Sequence, residues 1–300
     1  MDKKGLGFIL LAVACYGLSS IIAKFAYRGG ANFVTLLAFR YLLSSVLLWL
    51  TCRKAGLNIL LPLPDRKRIL TVASVGSIGY CALYYRSLEL IPAGVASLLM
   101  YTYPTLVLLI SVCLGTERMD ARKGFALLLA LAGSAAVAGT TRTGVNLTGA
   151  ALAFGSAALY AFYVVGMSRY TSRYDSRVVT LYVAFPSGAF YLLYGLLTDR
   201  LVYSLTPAAW LAIAAAGLIP SMLGGIFFFR GLSRVGAFRA SFLRTLEPVY
   251  ATVLAALLFR ERLALPQIAG GVLILSGVVL SILARQSARA AKPQDPAVPA

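Results

Sequence analysis

Residues 101–118 read YTYPTLVLLISVCLGTER, and residues 245–262 read TLEPVYATVLAALLFRER. The two stretches align without a gap at a separation of 144 positions, which is the distance between Pro104 and Pro248 (248 − 104). Each stretch is apolar in its middle and ends in Glu-Arg. Apolar repeats at this period predict a duplicated membrane bundle, with a central site where the two copies meet.

The composition indicates that the chain lies in a lipid bilayer. Apolar residues make up 60% of the 300 residues, charged residues make up 13%, and the mean hydropathy is +0.82. A soluble domain carries about 25% charged residues. Successive apolar runs of about 20 residues, each able to cross a hydrocarbon layer of about 30 Å, predict an all-α integral membrane protein with ten transmembrane helices. These spans are predicted at 5–27, 33–52, 69–88, 91–115, 121–139, 147–170, 178–198, 208–230, 235–259 and 265–284.

The charged and metal-binding residue types argue against several function classes. The net charge of +18 is typical of nucleic-acid-binding proteins, but most Lys and Arg residues lie in short loops, where cytoplasmic anchoring explains them. We therefore expect the lipid bilayer and a small-molecule substrate as partners, and no nucleic acid. The chain has no His, and its four Cys lie in separate apolar runs without a CxxC pair, so we expect no metal and no cofactor.

The distribution of Lys and Arg also predicts the orientation. If the N-terminus is inside, the cytoplasmic segments carry about three times as many of these residues as the opposite segments. The opposite segments contain Arg28, Arg86, Arg142, Arg200, Arg260 and Arg262. We therefore expect a multi-pass protein of the cell's inner (plasma) membrane with both termini in the cytoplasm.

The predicted helices divide into two repeats of five. Because five is odd, the second copy must enter the membrane from the opposite side, so the repeats are inverted around a central cavity. We predict a first repeat at 1–140, an inverted second repeat at 141–284, and a disordered cytoplasmic tail at 285–300. Inverted repeats support alternating access, in which one half rocks against the other.

The fifth and tenth predicted helices are rich in small residues, among them Gly133 and Gly277. Small residues let membrane helices approach closely. These two helices are therefore expected to pack either between the repeats or between protomers, and the second option is a homodimer through helices five and ten.

Ionisable residues predicted inside the bilayer are the first candidates for a substrate site. Each costs a few kcal/mol by insertion scales and so needs a partner or a function. Arg40 lies near mid-depth of the second predicted helix, and Arg244 and Glu247 lie near the centre of the ninth on one face. The two residues could form an ion pair that only neutralises their charges and stabilises the ninth helix. Alternatively, Arg244 attracts a carboxylate or phosphate in a central cavity, and Glu247 attracts an amine or a proton.

Prolines, tyrosines and serines supply the remaining candidates. Pro104 and Pro248 occupy equivalent mid-helix positions, where a kink lets the backbone line a cavity, and we predict that they act as a hinge pair. Buried Tyr hydroxyls need polar partners, so tyrosines away from the membrane interfaces suggest a wet or ligand-lined wall. The candidates for this wall, together with serines on the same helix faces, are Tyr80, Tyr84, Ser97, Tyr101, Tyr160, Tyr163 and Ser241.

These residues carry a resemblance to the drug/metabolite transporter (DMT) superfamily, specifically to its EamA-type ten-helix exporters. Residues 241–249, SFLRTLEPV, and residues 259–263, FRERL, are similar to the second-repeat pattern of that family. Residues 103–105, YPT, and 114–118, LGTER, are similar to the first-repeat pattern, and the likeness extends over about 5–284. The sequence departs from the pattern where Phe-Arg replaces the usual Leu-Gly in 259–263.

Arg244 is a second departure, because many members of that family carry a small residue there. The resemblance implies a bundle around a central cavity that exports small metabolites, in particular amino acids, aromatic or hydrophobic ones among them. It also adds Lys24 to the substrate-site candidates, because the family often has a cation at that point of the first helix. Snorkelling to the headgroups is the other interpretation of Lys24.

Other functions remain open at this stage. An organophosphate or nucleotide-sugar carrier of the same superfamily would use clustered cations such as Arg40 and Arg244, although Glu247 and the aromatic walls fit an amino acid better. A membrane enzyme would need a nucleophile–base pair or an intramembrane aspartyl pair, and all six Asp fall in loops or tails, so we expect no enzyme. A non-transporting scaffold would not need matched prolines.

Overall fold

The computed structural model describes residues 2–88, 90–91, 96, 99–138, 146–247, 249–250, 253–254, 265, 268–270, 272–277 and 280. Every regular element in this part of the chain is helical, and it contains no strand, which confirms the all-α expectation.

The helices follow the order of the predicted spans. The first half contains α1 (Lys3–Arg28), α2 (Phe33–Lys54), α3 (Leu63–Ala73), α4 (Gly79–Leu88), α5 (Tyr103–Cys113) and α6 (Ala121–Ala138). The second half contains α7 (Leu147–Thr171), α8 (Ser176–Leu197), α9 (Pro207–Ala216), α10 (Gly225–Val235), α11 (Ala237–Leu243) and α12 (Ile268–Gly277).

Several of these helices are suited to cross a membrane. Among the described residues, five helical segments are long and apolar enough, and they are Lys3–Arg28, Phe33–Lys54, Leu147–Thr171, Ser176–Leu197 and Pro207–Val235. Helices α5 and α12 are apolar but shorter. The chain is thus a multi-pass membrane protein, while the count of ten helices, the inverted repeats and the orientation of the termini stay predictions.

Polar caps fix where several of the long helices begin. Asp2 accepts from the backbone N–H groups at the start of α1, and Asn32, Asn146 and Asp175 do the same for α2, α7 and α8. A cap satisfies N–H groups that have no partner within the helix. The Arg177 guanidinium, hydrogen-bonded to Asp175 at 3.0 Å, lowers the pKa of that carboxyl below its usual value and keeps the cap charged.

The small-residue helices α6 and α12 pack against each other within one chain. A Cβ built on Gly133 would lie 2.6 Å from the carbonyl oxygen of Gly270 and 2.7 Å from the side chain of Ile274. A Cβ on Gly277 would lie 2.9 Å from the carbonyl oxygen of Ala126. The glycine-bearing faces of α6 and α12 therefore contact each other and join the two halves of the chain. A homodimer would have to use other faces of these helices, and it stays a prediction.

Two wide helical turns occupy equivalent places in the two halves. Segment Ser74–Ile78, between α3 and α4, and segment Gly217–Gly224, between α9 and α10, are π-helical. A shift of 144 moves 74–78 onto 218–222, inside the second segment. Gly76 lets this turn touch α7, because a Cβ there would collide with Tyr163. π-Helical turns frequently mark functional sites, and these two face the same cavity, described below.

Two helix interruptions lie within one residue of each other across the repeat, since a shift of 144 moves 101–102 onto 245–246. Tyr101 and Thr102 form a turn before α5, and Arg244 and Thr245 form a turn after α11. The N–H groups of Thr102 and Thr245 donate to carbonyls three residues earlier, at 3.2 and 3.0 Å. The sequence predicts a kink within a continuous helix at Pro104, but this proline stands in the first turn of α5. At that position the backbone N–H would have no partner within the helix, so its absence costs nothing. The helix is therefore interrupted before Pro104 rather than kinked at it.

Candidate functional site

An ion pair stands at the second of these interruptions. Arg244 donates from Nη2 and Nε to one oxygen of Glu247, Oε2, at 2.7 and 3.3 Å. The two side chains are 14% and 23% exposed, so both charges are largely removed from the surface. The structure thus brings together the two residues that the i, i+3 spacing places on one face, while their role in substrate binding stays a prediction.

Aromatic rings surround the guanidinium group of Arg244. Its central carbon lies 4.5 Å from the ring centroid of Tyr16, 5.2 Å from that of Tyr160 and 5.4 Å from that of Phe228. Tyr16 and Tyr160 are repeat partners (160 − 16 = 144), so each half contributes one ring. Cation–π contacts of this kind contribute about 0.5–2 kcal/mol each, depending on how far the charge is desolvated. They hold the cation in place without neutralising it.

Tyr160 is the centre of a tyrosine cluster. Its ring packs edge-on against Tyr80 and Tyr103, with centroids 4.8 and 4.9 Å apart, and it lies 5.8 Å from Tyr163. The Tyr103 hydroxyl donates to the Ser241 carbonyl at 3.0 Å. This hydrogen bond joins α5 to α11, and so it ties the first half of the chain to the second.

Two cavities lie on either side of these residues. We call them the serine chamber, of about 160 Å³, and the tyrosine chamber, of about 220 Å³. The residues common to the walls of both, which we call the central layer, are Arg40, Tyr80, Tyr160, Arg244 and Glu247. A ligand in the central layer would therefore touch both chambers.

The serine chamber has walls from both halves of the chain. Ser77 and Ser221, which are repeat partners on the two π-helical turns, both line it, together with Ser19 and Thr180. The tyrosine chamber is lined instead by rings and sulfur-containing side chains, which are Cys81, Tyr84, Met100, Tyr101 and Tyr103. Each chamber thus offers a different chemistry to a ligand that the central layer holds.

Arg40 brings a second guanidinium group to the central layer. It donates to the Ser19 hydroxyl at 3.4 Å and to the Tyr41 hydroxyl at 3.1 Å, and it lies over the Tyr41 ring. Among the described residues of the layer there are thus two guanidinium groups and one carboxylate. The layer favours ligands that carry at least one negative charge.

The structure brings most of the sequence-predicted residues to this place and leaves one out. The residues that line one or both chambers are Arg40, Tyr80, Tyr84, Tyr101, Tyr160, Tyr163, Arg244 and Glu247. Ser241 is not a wall residue. It is fully buried, its hydroxyl donates to the Phe238 carbonyl, and it supports the site through Tyr103. Ser97, Pro248, the side chain of Lys24 and the tail 285–300 lie outside the described residues.

Sequence reasoning missed Tyr16 and Tyr103 as wall residues. The repeat could have found both, because Tyr16 aligns with Tyr160 and Tyr103 aligns with Glu247 at the separation of 144. It also reveals an asymmetry: the partner of Arg244 in the first half is Met100, so the ion pair exists in one copy alone. As for metals, the described residues contain no group of three His, Cys, Asp or Glu that could hold an ion.

Known proteins match this chain over most of its length. It is 26% identical over 279 residues to "Uncharacterized transporter YcbK" of Bacillus subtilis (strain 168), covering 88% of each chain. It is also 26% identical over 299 residues to "Uncharacterized inner membrane transporter YicL" of Salmonella typhimurium, covering 96% of this chain and 99% of that protein. One crystal structure superposes with a TM-score of 0.84 over 96% of this chain and 99% of the other, and at 21% identity that likeness shows the fold alone.

A family profile gives the most specific match. The profile of the EamA-like transporter family fits the chain twice, over residues 3–139 and 147–283. The two matches together cover nearly all of the sequence, and they agree with the resemblance to the DMT superfamily that the repeated motifs carry. The family and the names of the relatives indicate a transporter rather than an enzyme. The chain is a multi-pass membrane protein that belongs to the EamA-like transporter family.

Proposed function

We propose that this protein is a secondary transporter that exports small metabolites, in particular amino acids, aromatic or hydrophobic ones among them, by alternating access. The substrate binds at the central layer. One observation carries the proposal: a cation and an anion, Arg244 and Glu247, lie 2.7 Å apart beneath aromatic rings, in a layer that two chambers share.

The charges of the layer are complementary to those of a zwitterion. The substrate carboxylate binds Arg244 through charge-assisted hydrogen bonds, and Arg40 lines the same chamber. The ammonium group binds Glu247 and the faces of the tyrosine rings. Because a zwitterion inserts one charge of each sign, it can replace the internal ion pair without leaving an unpaired charge in the membrane. The side chain of the substrate then lies against rings such as Tyr80 and Tyr160.

The two chambers fit alternating access. Each chamber touches one side of the central layer, so opening one chamber at a time would expose the same site to opposite sides of the membrane. Broken helices at matched positions of two repeats are the usual place for a transporter's substrate site. Here the breaks at 101–102 and 244–245 both border the layer. Export as the direction of transport comes from the family resemblance, whereas the predicted orientation of the termini rests on the loop charges.

A second candidate, transport of organophosphates or nucleotide sugars, is favoured by one specific observation. Arg40 and Arg244 both line both chambers, and two guanidinium groups against one carboxylate suit a phosphate ester. Glu247 opposes this choice, because its carboxylate would repel a dianion.

Counterflow in proteoliposomes distinguishes the candidates. Purified protein is reconstituted with a panel of unlabelled amino acids, sugar phosphates or organic cations inside, and uptake of the matching labelled compound is measured. We expect uptake with aromatic or hydrophobic amino acids above that of protein-free vesicles. Uptake with sugar phosphates alone would replace the proposal by the second candidate. Uptake with no member of the panel would contradict both.

A further inference from the structure

A groove on the outer surface of the bundle lies between the end of α2, the start of α3 and the middle of α8. We call it the lateral groove, and its volume is about 600 Å³, within the range of roughly 300–1,000 Å³ that is typical of ligand pockets. No residue of the central layer contributes to it, so it is separate from the proposed substrate site. Its main wall residues are Val46, Trp49, Leu60, Arg66, Leu70 and Phe185.

The walls of the lateral groove are apolar and open to the outside. Leu60 is 67% exposed, Phe185 is 59% exposed and Val46 is 55% exposed. In a chain that crosses a membrane, such side chains face acyl chains. The Tyr182 hydroxyl donates to the Ile59 carbonyl at 3.0 Å, which fixes the loop after α2 against α8 and keeps the groove open between them.

The charges at the groove are positive. Arg66 is the one charged residue among the described residues that line the groove, and it is half-buried. No described carboxylate pairs with it; the adjacent Asp65 accepts from the Tyr174 hydroxyl at 2.6 Å and lies 3.9 Å from the Arg173 guanidinium instead. Arg53 lies over the ring of Trp49 at 5.0 Å, on the edge of the same groove. An apolar wall with a cationic rim matches a molecule with a hydrocarbon chain and an anionic head.

The position of the groove favours a lipid over a soluble ligand. It lies where the apolar helix α2 ends and where the first turns of α3 carry Asp65, Arg66, Lys67 and Arg68, which marks the boundary between hydrocarbon and water. A free phosphate would contact Arg66 but leave the apolar walls uncovered. We propose that the lateral groove binds one anionic phospholipid, with its phosphate on Arg66 and an acyl chain along Trp49 and Phe185.

The two tryptophans of the chain provide the test. Trp49 lines the groove, and Trp210 lies elsewhere, packed edge-on against Phe39 at 5.2 Å. The variant Trp210→Phe leaves Trp49 as the reporter, and Trp49→Phe leaves Trp210. Each is reconstituted in phosphatidylcholine vesicles that contain increasing fractions of brominated phosphatidylglycerol or, in a parallel series, of brominated phosphatidylcholine, and quenching of tryptophan fluorescence is measured at each fraction.

We expect quenching of Trp49 to require less brominated phosphatidylglycerol than brominated phosphatidylcholine, by about fivefold, since one cation near the surface favours anionic lipid by about that factor. Arg66→Gln should remove this preference. Arg68→Gln is the matched control, because Arg68 lies on the same helix outside the groove, and it should keep the preference. Trp210 should be quenched equally by both lipids.

Three results would overturn the proposal. One is equal quenching of Trp49 by the two lipids. The second is a preference that survives Arg66→Gln, which would show that Arg66 does not hold the phosphate. The third is the same preference at Trp210 as at Trp49, which would indicate general enrichment of anionic lipid around the protein rather than a site.

Discussion

Stepwise neutralisation of the Arg244–Glu247 pair separates a structural role from a role in substrate binding. Three variants are needed: Arg244→Met, Glu247→Gln, and the double variant Arg244→Met/Glu247→Leu. Both side chains are mostly buried, so each single variant leaves one charge without its partner. A fully buried pair loses about 3–5 kcal/mol in this way, and the remaining exposure reduces the expected cost here to about 2–3 kcal/mol.

The two single variants should differ in stability. After Glu247→Gln, the Arg244 cation still lies over three rings, whereas after Arg244→Met the Glu247 carboxylate loses both of its hydrogen bonds from the guanidinium group. Arg244→Met should therefore be the less stable variant, with Tm lowered by roughly 5–10 °C in detergent. The double variant should be near the native Tm, because it buries no unpaired charge.

Transport should follow a different pattern from stability. Loss of Arg244 removes a charge-assisted hydrogen bond to the substrate carboxylate, which is worth about 1.5–3 kcal/mol, or about 10- to 150-fold in affinity. The double variant should therefore be stable and inactive in counterflow. The matched control is Lys123→Met/Glu117→Leu, which removes an ion pair of similar exposure, 17% and 21%, that lines neither chamber. A stable and fully active double variant at Arg244 and Glu247 would refute the reasoning and remove the pair from the site.

Three further predictions concern packing, orientation and the helix breaks. Gly133→Ala should destabilise the protein by about 1–3 kcal/mol, because its Cβ would lie 2.6 Å from a backbone carbonyl of α12. Gly124→Ala, on the same helix with nothing within 4 Å, should not, and equal Tm values would disprove the packing contact. In a cysteine-free background, Ala55→Cys, exposed in the loop after α2, should resist impermeant thiol reagents in intact cells while Gly144→Cys reacts, and the reverse result would invert the orientation. Pro104→Ala should insert normally but slow counterflow, because a restored N–H extends α5 across the break; an unchanged rate would exclude a hinge there.

Charges and repeats were predictable from the sequence because they are rare and discrete signals. The spacing of Arg244 and Glu247 was enough to expect a pair, and Arg40 stands out as a cation within an apolar run. The separation of 144 positions also relates Tyr16 to Tyr160, and these two rings flank Arg244.

The local backbone could not be predicted in the same way. A membrane helix is apolar on every face, so hydrophobic periodicity does not distinguish a face that lines a cavity from one that faces lipid. Within the π-helical turn Ser74–Ile78, Gly76 lies directly against Tyr163, which is a contact between distant parts of the chain that sequence periodicity does not reveal. Helix periodicity also led us to expect Ser241 in the wall of the cavity. Its hydroxyl instead donates to a carbonyl of its own helix, and the residue lies behind Tyr103.

Locating a transported substrate in the protein tests the central claim most directly. A selenium-containing amino acid, selenomethionine, is first checked for counterflow and is then added to crystals of protein made with ordinary Met, so that anomalous scattering at the selenium edge arises from the ligand alone. We predict one selenium peak inside a chamber, against the rings of Tyr80 and Tyr160. The ligand carboxylate should lie at Arg244 and its ammonium group at Glu247. A selenium peak in the lateral groove or elsewhere, for a compound that the protein transports, would contradict a substrate site at the central layer.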